Sequence, residues 1–261
     1  MDLGLTDKVA LVTGGSRGIG RAVGLALARE GCIIHLAARG VADLASAAGQ
    51  IKDETGASVH VHPVDLSSGE AVQTLLEAAG TPDILVNNAG AIPGGDLQAV
   101  TEDIWRDAWD LKVFGYINMT RAVYAAMKAR GNGVIVNVTG LAAERWDVNY
   151  VAGTTGNAGL NAFTRAVGSM SLEDGIRVNA VSPGPVETER LVGLLKGAAQ
   201  TKLGDENRWR ELTANMPLGR PAQVDEVADM VVFLASQRAG YISGTIVTVD
   251  GGQGSRASSF S

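Results

Sequence analysis

Short runs of β-branched and aliphatic residues alternate along this chain with longer stretches in which apolar residues recur every three or four positions. Residues 8–12, 33–37, 58–61, 84–86, 134–138, 176–181 and 245–249 read as strands, and their largely unbroken apolar character suits strands buried on both faces. Residues 19–30, 41–55, 70–79, 102–130, 157–172 and 224–236 show helical spacing. Strand and helix alternating in this way predict an α/β architecture, a doubly wound seven-stranded parallel sheet with helices on both faces, because right-handed crossovers place successive helices there. A ligand would then bind beyond the carboxyl ends of the strands. Residues 1–252 are expected to form one domain. Within it, 186–216 breaks the alternation with charged helical pieces around Trp209 and is expected to act as a substrate lid. Residues 253–261, rich in Ser after Gly251 and Gly252, read as a flexible tail.

The 261 residues are 46% hydrophobic, enough to fill one sizeable core. A formal net charge of -6 repels nucleic acid and anionic membrane surfaces, which leaves a small-molecule substrate as the expected partner. Cys32 lies in an apolar run, where a thiol is structural, and one cysteine makes no internal disulfide. No stretch approaches the roughly 20 apolar residues of a membrane span, so a cytoplasmic location is expected. No metal site is expected either. His35, His60 and His62 sit in or beside the second and third strands, and no His, Cys and carboxylate spacing suits a metal.

Chemistry concentrates at Thr13, Gly14, Gly15, Ser16, Arg17, Gly18, Ile19 and Gly20, which close a strand and open a helix. Glycines permit a tight turn and close backbone approach, and the helix N-terminus offers unpaired amides and a positive dipole to a pyrophosphate. A dinucleotide fold that binds NAD usually presents a carboxylate to the ribose at the end of the second strand. Here that place holds Ala38 and Arg39. Arg39 with Arg17 would clamp a 2'-phosphate through charge-assisted hydrogen bonds, so NADP is expected rather than NAD.

Thr13-Gly-x-x-x-Gly18-x-Gly20, Asn87-Asn88-Ala89-Gly90 and Pro183-Gly184-x-x-x-Thr188, in that order, resemble the motifs of the short-chain dehydrogenase/reductase family. The resemblance runs from Leu5 to Gly252 and includes Tyr241-Ile242-Ser243-Gly244 before the last strand. It implies a single-domain Rossmann fold in which Leu66, Asn88, Ala89, Gly90, Pro183, Gly184 and Val186 join the glycine-rich turn around the cofactor. It also implies that Asp65 reaches the adenine, and that Asn87 and Thr188 lie near the ribose and the nicotinamide amide. A homo-oligomer, tetramer or dimer, is implied through the helices at 102–130 and 157–172.

The same resemblance runs without a gap from Gly133 to Gly184, and there it puts Gly140, Gly153 and Asn157 where the family has Ser, Tyr and Lys. Lys112 stands where the family has an Asn on the preceding long helix. The usual acid/base set is therefore expected to be missing. Tyr150 lies three residues before Gly153, about one helical turn away on the same face, and Lys112 would offer a cation to lower its pKa. Alternatively Tyr150 packs in the rim and Lys112 is exposed or paired with Asp110 or Glu144. In a shifted register, Tyr150 and Thr154 would take the Tyr and Lys places. Glu144 and Asp147 border the pocket as further acids, while strand alternation turns the Thr139 hydroxyl away. Three functions follow: an NADP-dependent oxidoreductase on a small carbonyl, alcohol or activated alkene with a non-standard proton donor; a dinucleotide-binding subunit or sensor without turnover; or a redox-neutral enzyme on the same fold.

Overall fold

In the computed structural model, which describes residues 1–256, the strands are β1 (Val9–Thr13), β2 (Ile33–Ala38), β3 (Val59–Pro63), β4 (Ile84–Asn87), β5 (Gly133–Val138), β6 (Ile176–Pro183) and β7 (Ile246–Val249). They form one parallel sheet in the order β3-β2-β1-β4-β5-β6-β7. The order reverses at β1, which pairs with both β2 and β4, and the crevice beyond that point opens at the end of the glycine-rich turn. Eight α-helices connect the strands: α1 (Gly18–Arg29), α2 (Val41–Thr55), α3 (Gly69–Ala79), α4 (Glu102–Trp109), α5 (Gly115–Arg130), α6 (Val151–Gly168), α7 (Glu189–Leu203) and α8 (Val224–Ala235).

Strand alternation sorts the core into two layers. Val12, Ile34, Leu36 and Val86 face α1, α2 and α8, where Val23, Leu27, Leu44, Ile51 and Val231 meet them. Their neighbours Leu11, Leu85, Ile135 and Val178 point the other way, onto Leu75 of α3 and Met119, Val123 and Met127 of α5. Full burial of each such side chain contributes about 1.5–3 kcal/mol, which is why the strand runs carry almost no polar positions. Cys32 is buried with its thiol near Leu5 O, and burial pushes its pKa up to about 12, as suits a structural thiol.

Two helices differ from their sequence expectation. Residues 102–130 were expected as one regular helix, but α4 and α5 are joined by a π-helical turn, Asp110–Phe114, that carries Lys112. The helix expected at 157 begins at Val151 instead, six residues earlier. Gly153 and Gly156 obscure the periodicity there, yet Gly156 lets the Trp109 indole approach, and Trp109 Nε1 donates to Ala152 O at 3.0 Å. Residues 186–216 contain α7 and a 3-10 turn at Glu206–Thr213. Of the expected tail, Gln253–Arg256 continues in turns, with Arg256 Nη1 donating to Asn215 O at 3.3 Å, and residues 257–261 lie outside the described residues. Among the described residues no helix is long and apolar enough to cross a membrane.

The three histidines form a ladder on β2 and β3. His35 Nδ1 lies 2.9 Å from His62 Nε2 with the rings stacked, and His60 lies against His35. Burial, together with the charges of His60 and His62, holds the His35 pKa down to about 4, and that of His62 is also lowered. The folded chain thus favours neutral rings, and the unfolded chain binds more protons between about pH 4 and the ordinary pKa of about 6.5. Stability is expected to fall as pH drops through that window. Thermal melts at pH 7.5 and 5 should show the decrease, and His35→Gln should reduce it; an unchanged difference in the variant would reject the ladder as its source.

Candidate active site

The Gly-rich turn is shaped by contacts that leave no room for side chains. A Cβ on Gly20 would lie 2.2 Å from Gly14 O and 2.4 Å from Asn88 Nδ2, and Gly14 and Gly18 have φ of 65° and 52°. Asn88 braces the turn by donating to Thr13 O (3.1 Å) and Gly14 O (3.2 Å), while Thr13 Oγ1 accepts from the amides of Asn88 (2.9 Å) and Ala89 (3.0 Å). No side chain caps the start of α1, so its first amides remain open to an anion. Thr188, which caps α7, packs over Gly18, 3.2 Å from where its Cβ would be. Gly14, Ser16, Arg17, Arg39, Leu66, Ala89 and Gly90 line one crevice of about 370 Å³. A dinucleotide fits this cradle, because the open amides and the missing side chains sit where a pyrophosphate would approach.

Three placements differ from expectation. Asn87 is buried and faces inward, its amide bonded to Thr120 Oγ1 (3.2 Å) and Asn137 Oδ1 (2.9 Å), because the β4 alternation turns it into the core rather than toward a ribose. Arg17 is paired with Asp43, in the first turn of α2, and Arg39 lies 3.8 Å from Asp65. Asp65 also accepts from Ser67 N at 3.1 Å. Both expected phosphate clamps therefore face a carboxylate, Asp43 for Arg17 and Asp65 for Arg39. Pro183 ends β6, Gly184 packs against Asp250, and Val186 is buried in a bridge to Ala222.

Gly140, after β5, and Asn157, on α6, are neighbours: a Cβ on Gly140 would lie 3.4 Å from the Asn157 amide. Asn157 Nδ2 donates to Gly153 O at 2.8 Å, and its buried Oδ1 has no partner. A Cβ on Gly153 would fall 2.1 Å from Tyr150 Cζ, so the Tyr150 ring fills the space that a side chain at 153 would enter. Tyr150 also packs on the cluster of Ile92, Val100, Ala108 and Ala152, and Asn149 O, just before it, accepts from Gly95 N at 2.6 Å. Thr154 Oγ1, by contrast, is buried without a partner on α6.

Lys112 lays its stem over Gly90, 2.7 Å from where a Cβ would stand, and donates from Nζ to Thr139 O at 3.2 Å. Burial first, and the Arg190 charge second, hold its pKa down to about 8. Tyr150 is pushed up by burial and pulled back by Arg190. The cation felt by the Tyr150 hydroxyl is thus Arg190, where Lys112 was expected. Arg190 sits in the first turn of α7 and donates to Ile92 O at 2.7 Å. Only its position two residues after Thr188 hinted at the crevice. Lys112 pairs with neither Asp110 nor Glu144. Thr139 turns away as expected, its hydroxyl near Val181 O, while Glu144 and Asp147 are exposed. No group of three His, Cys or carboxylate side chains suits a metal among the described residues.

Residues 14–253 match the family described as enoyl-(acyl carrier protein) reductase. An acetoacetyl-CoA reductase of Shinella zoogloeoides is 35% identical over 254 residues, covering 95% of this chain and 98% of that one. A 3-oxoacyl-(acyl-carrier-protein) reductase of Pseudomonas aeruginosa is 35% identical over 260 residues, 96% and 98% of the two chains. Among solved structures, L-sorbose reductase from Gluconobacter frateurii, complexed with NADPH and L-sorbose, superposes with a TM-score of 0.91 at 32% identity over 98% of this chain and 100% of that one. Strand order, glycine-rich crevice and likeness over nearly the whole length lead to one assignment: the chain belongs to the short-chain dehydrogenase/reductase family.

Proposed function

We propose that this chain is an NADP-dependent oxidoreductase of small carbonyl compounds in which Tyr150 supplies the proton that a side chain at position 153 cannot. The observation that carries this reading is the Tyr150 ring occupying the side-chain space of Gly153, with Cζ 2.1 Å from the place of its Cβ. The relatives whose names mention acetoacetyl-CoA or 3-oxoacyl reduction, and the L-sorbose reductase solved with NADPH, support reduction of a carbonyl and NADP as its cofactor.

The amides opening α1 and the turn at Gly14–Arg17 would hold the pyrophosphate, and Arg39 with Arg17 the 2'-phosphate. Reduced NADP bound there would supply the hydride for the carbonyl carbon. Tyr150 gives its hydroxyl proton to the carbonyl oxygen, and Arg190 favours the tyrosinate left behind. The segment 186–216 serves as the lid, since Thr188 packs on Gly18 and Arg190 reaches Ile92 O across the crevice. A second reading makes Lys112 the proton donor, because its stem lies over Gly90 and its ammonium reaches Thr139 O, next to Gly140.

Purified protein screened with aldehydes and ketones should consume reduced NADP, read by the loss of the reduced-nicotinamide absorbance. Oxidation with none of them would favour the sensor or redox-neutral readings. Direct titration should show NADPH binding about tenfold or more tighter than NADH, and Arg39→Asp should remove about 1.5–3 kcal/mol of that preference. Wild-type protein that binds NADH as tightly as NADPH would end the NADP assignment.

A further inference from the structure

Lys112 and Arg190 both rest on the short segment after β4. The Lys112 stem covers Gly90, and Arg190 Nη2 holds Ile92 O at 2.7 Å. Each makes one hydrogen bond to a backbone carbonyl, Lys112 to Thr139 O and Arg190 to Ile92 O, so a guanidinium and an ammonium keep most of their donors free. Neither has a carboxylate within 4.0 Å among the described residues. Glu187, three residues before Arg190, pairs with Arg210 instead. In a chain of net charge -6, this leaves without a carboxylate partner Arg190, exposed at the start of α7 and bonded to the Ile92 that Tyr150 packs on, and Lys112, whose stem lies over Gly90.

Resting on the reductase reading, we infer that Arg190 and Lys112 form an anion subsite beside Tyr150 and that the carbonyl substrate is a short oxo carboxylate. A carboxylate takes two parallel hydrogen bonds from a guanidinium, and an ammonium brought near another cation is relieved by an anion between them. Burial first, and the Arg190 charge second, lower the Lys112 pKa. In the forward direction the hydride adds to the carbonyl carbon, the Tyr150 proton to its oxygen, and the nicotinamide is oxidised; the product is a hydroxy carboxylate, its carboxylate untouched.

The test is calorimetric titration of the protein loaded with oxidised NADP, so that nothing turns over. The probes are pyruvate, acetoacetate and levulinate, each against its methyl ester, with dihydroxyacetone phosphate as a phosphate probe. At least one acid should bind about tenfold or more tighter than its ester, as one charge-assisted contact predicts. Arg190→Gln should bring acid and ester together without changing affinity for NADP, Lys112→Gln should weaken the preference, and Arg190→Lys should keep part of it. Acids that never outbind their esters, a preference that survives in Arg190→Gln, tighter binding of the phosphate, or no binding of any probe would each overturn the proposal. The two readings fail separately. Selective binding of an acid with no oxidation of reduced NADP by any substrate would sink the reductase reading alone, and reduction of neutral ketones without acid preference would sink the subsite alone.

Discussion

Tyr150→Phe is expected to lower kcat by roughly 10²–10⁴, the range that a positioned general acid supplies, with affinity for NADP unchanged. The split is expected because the cofactor cradle is built by β1, α1 and Asn88, whereas Tyr150 stands at the start of α6. Phe keeps the ring that packs on Ile92 and fills the space over Gly153, so the fold should survive and only the hydroxyl is lost. The pH dependence gives a second measurement. Burial raises the Tyr150 pKa and Arg190 opposes it, so Arg190→Gln should move the acidic, ascending limb of the profile for alcohol oxidation, where tyrosinate is the base, to higher pH. Equal turnover in wild type and Tyr150→Phe would remove Tyr150 as donor, and loss of turnover in Lys112→Met alone would select Lys112. Installing Tyr at 153 beside an intact Tyr150 should not help, because a Cβ at 153 meets the ring at 2.1 Å.

Arg177→Met should be the most destabilising single change at a position remote from the crevice. Arg177 lies in β6, only 8% exposed, and its guanidinium donates to the carbonyls of Leu234, Ala235 (3.0 Å), Ser236 (2.9 Å) and Ala239 (3.3 Å). These are the carbonyls at the end of α8 and the turn after it, groups a helix leaves unpaired. Methionine fills similar volume but donates nothing, so several buried acceptors lose their partner at a cost of roughly 3 kcal/mol or more. For a chain of this size that lowers Tm by roughly 6–12 °C. Arg177→Lys should recover part of the loss, since an ammonium reaches fewer of these carbonyls. A melting temperature for Arg177→Met within about 2 °C of wild type would show that water or rearrangement satisfies the α8 terminus instead.

The strands were legible because parallel strands buried on both faces need nearly continuous apolar runs, and all seven appear within a few residues of their expected ends. The glycine-rich turn was equally legible: only Gly fits where a Cβ would meet Gly14 O at 2.2 Å. Helix α6 was less so, because Gly153 and Gly156 weaken the periodic signal in the very turn that receives Tyr150 and Trp109. The site itself divides along the same line. That Gly140, Gly153 and Asn157 stand at those places along the chain is a matter of order, which is read from the sequence alone. That the Tyr150 ring fills the room over Gly153, that Asp43 holds Arg17 from 26 residues away, and that Arg190 reaches Ile92 across 98 residues are statements of distance in space. The alternation of apolar and polar positions reports which face of each element is buried, so it specified the sheet, its layers and the crevice of this protein. Which side chains meet at the crevice depends on how loops and helix ends close between elements far apart in sequence, and only the tertiary structure decided that.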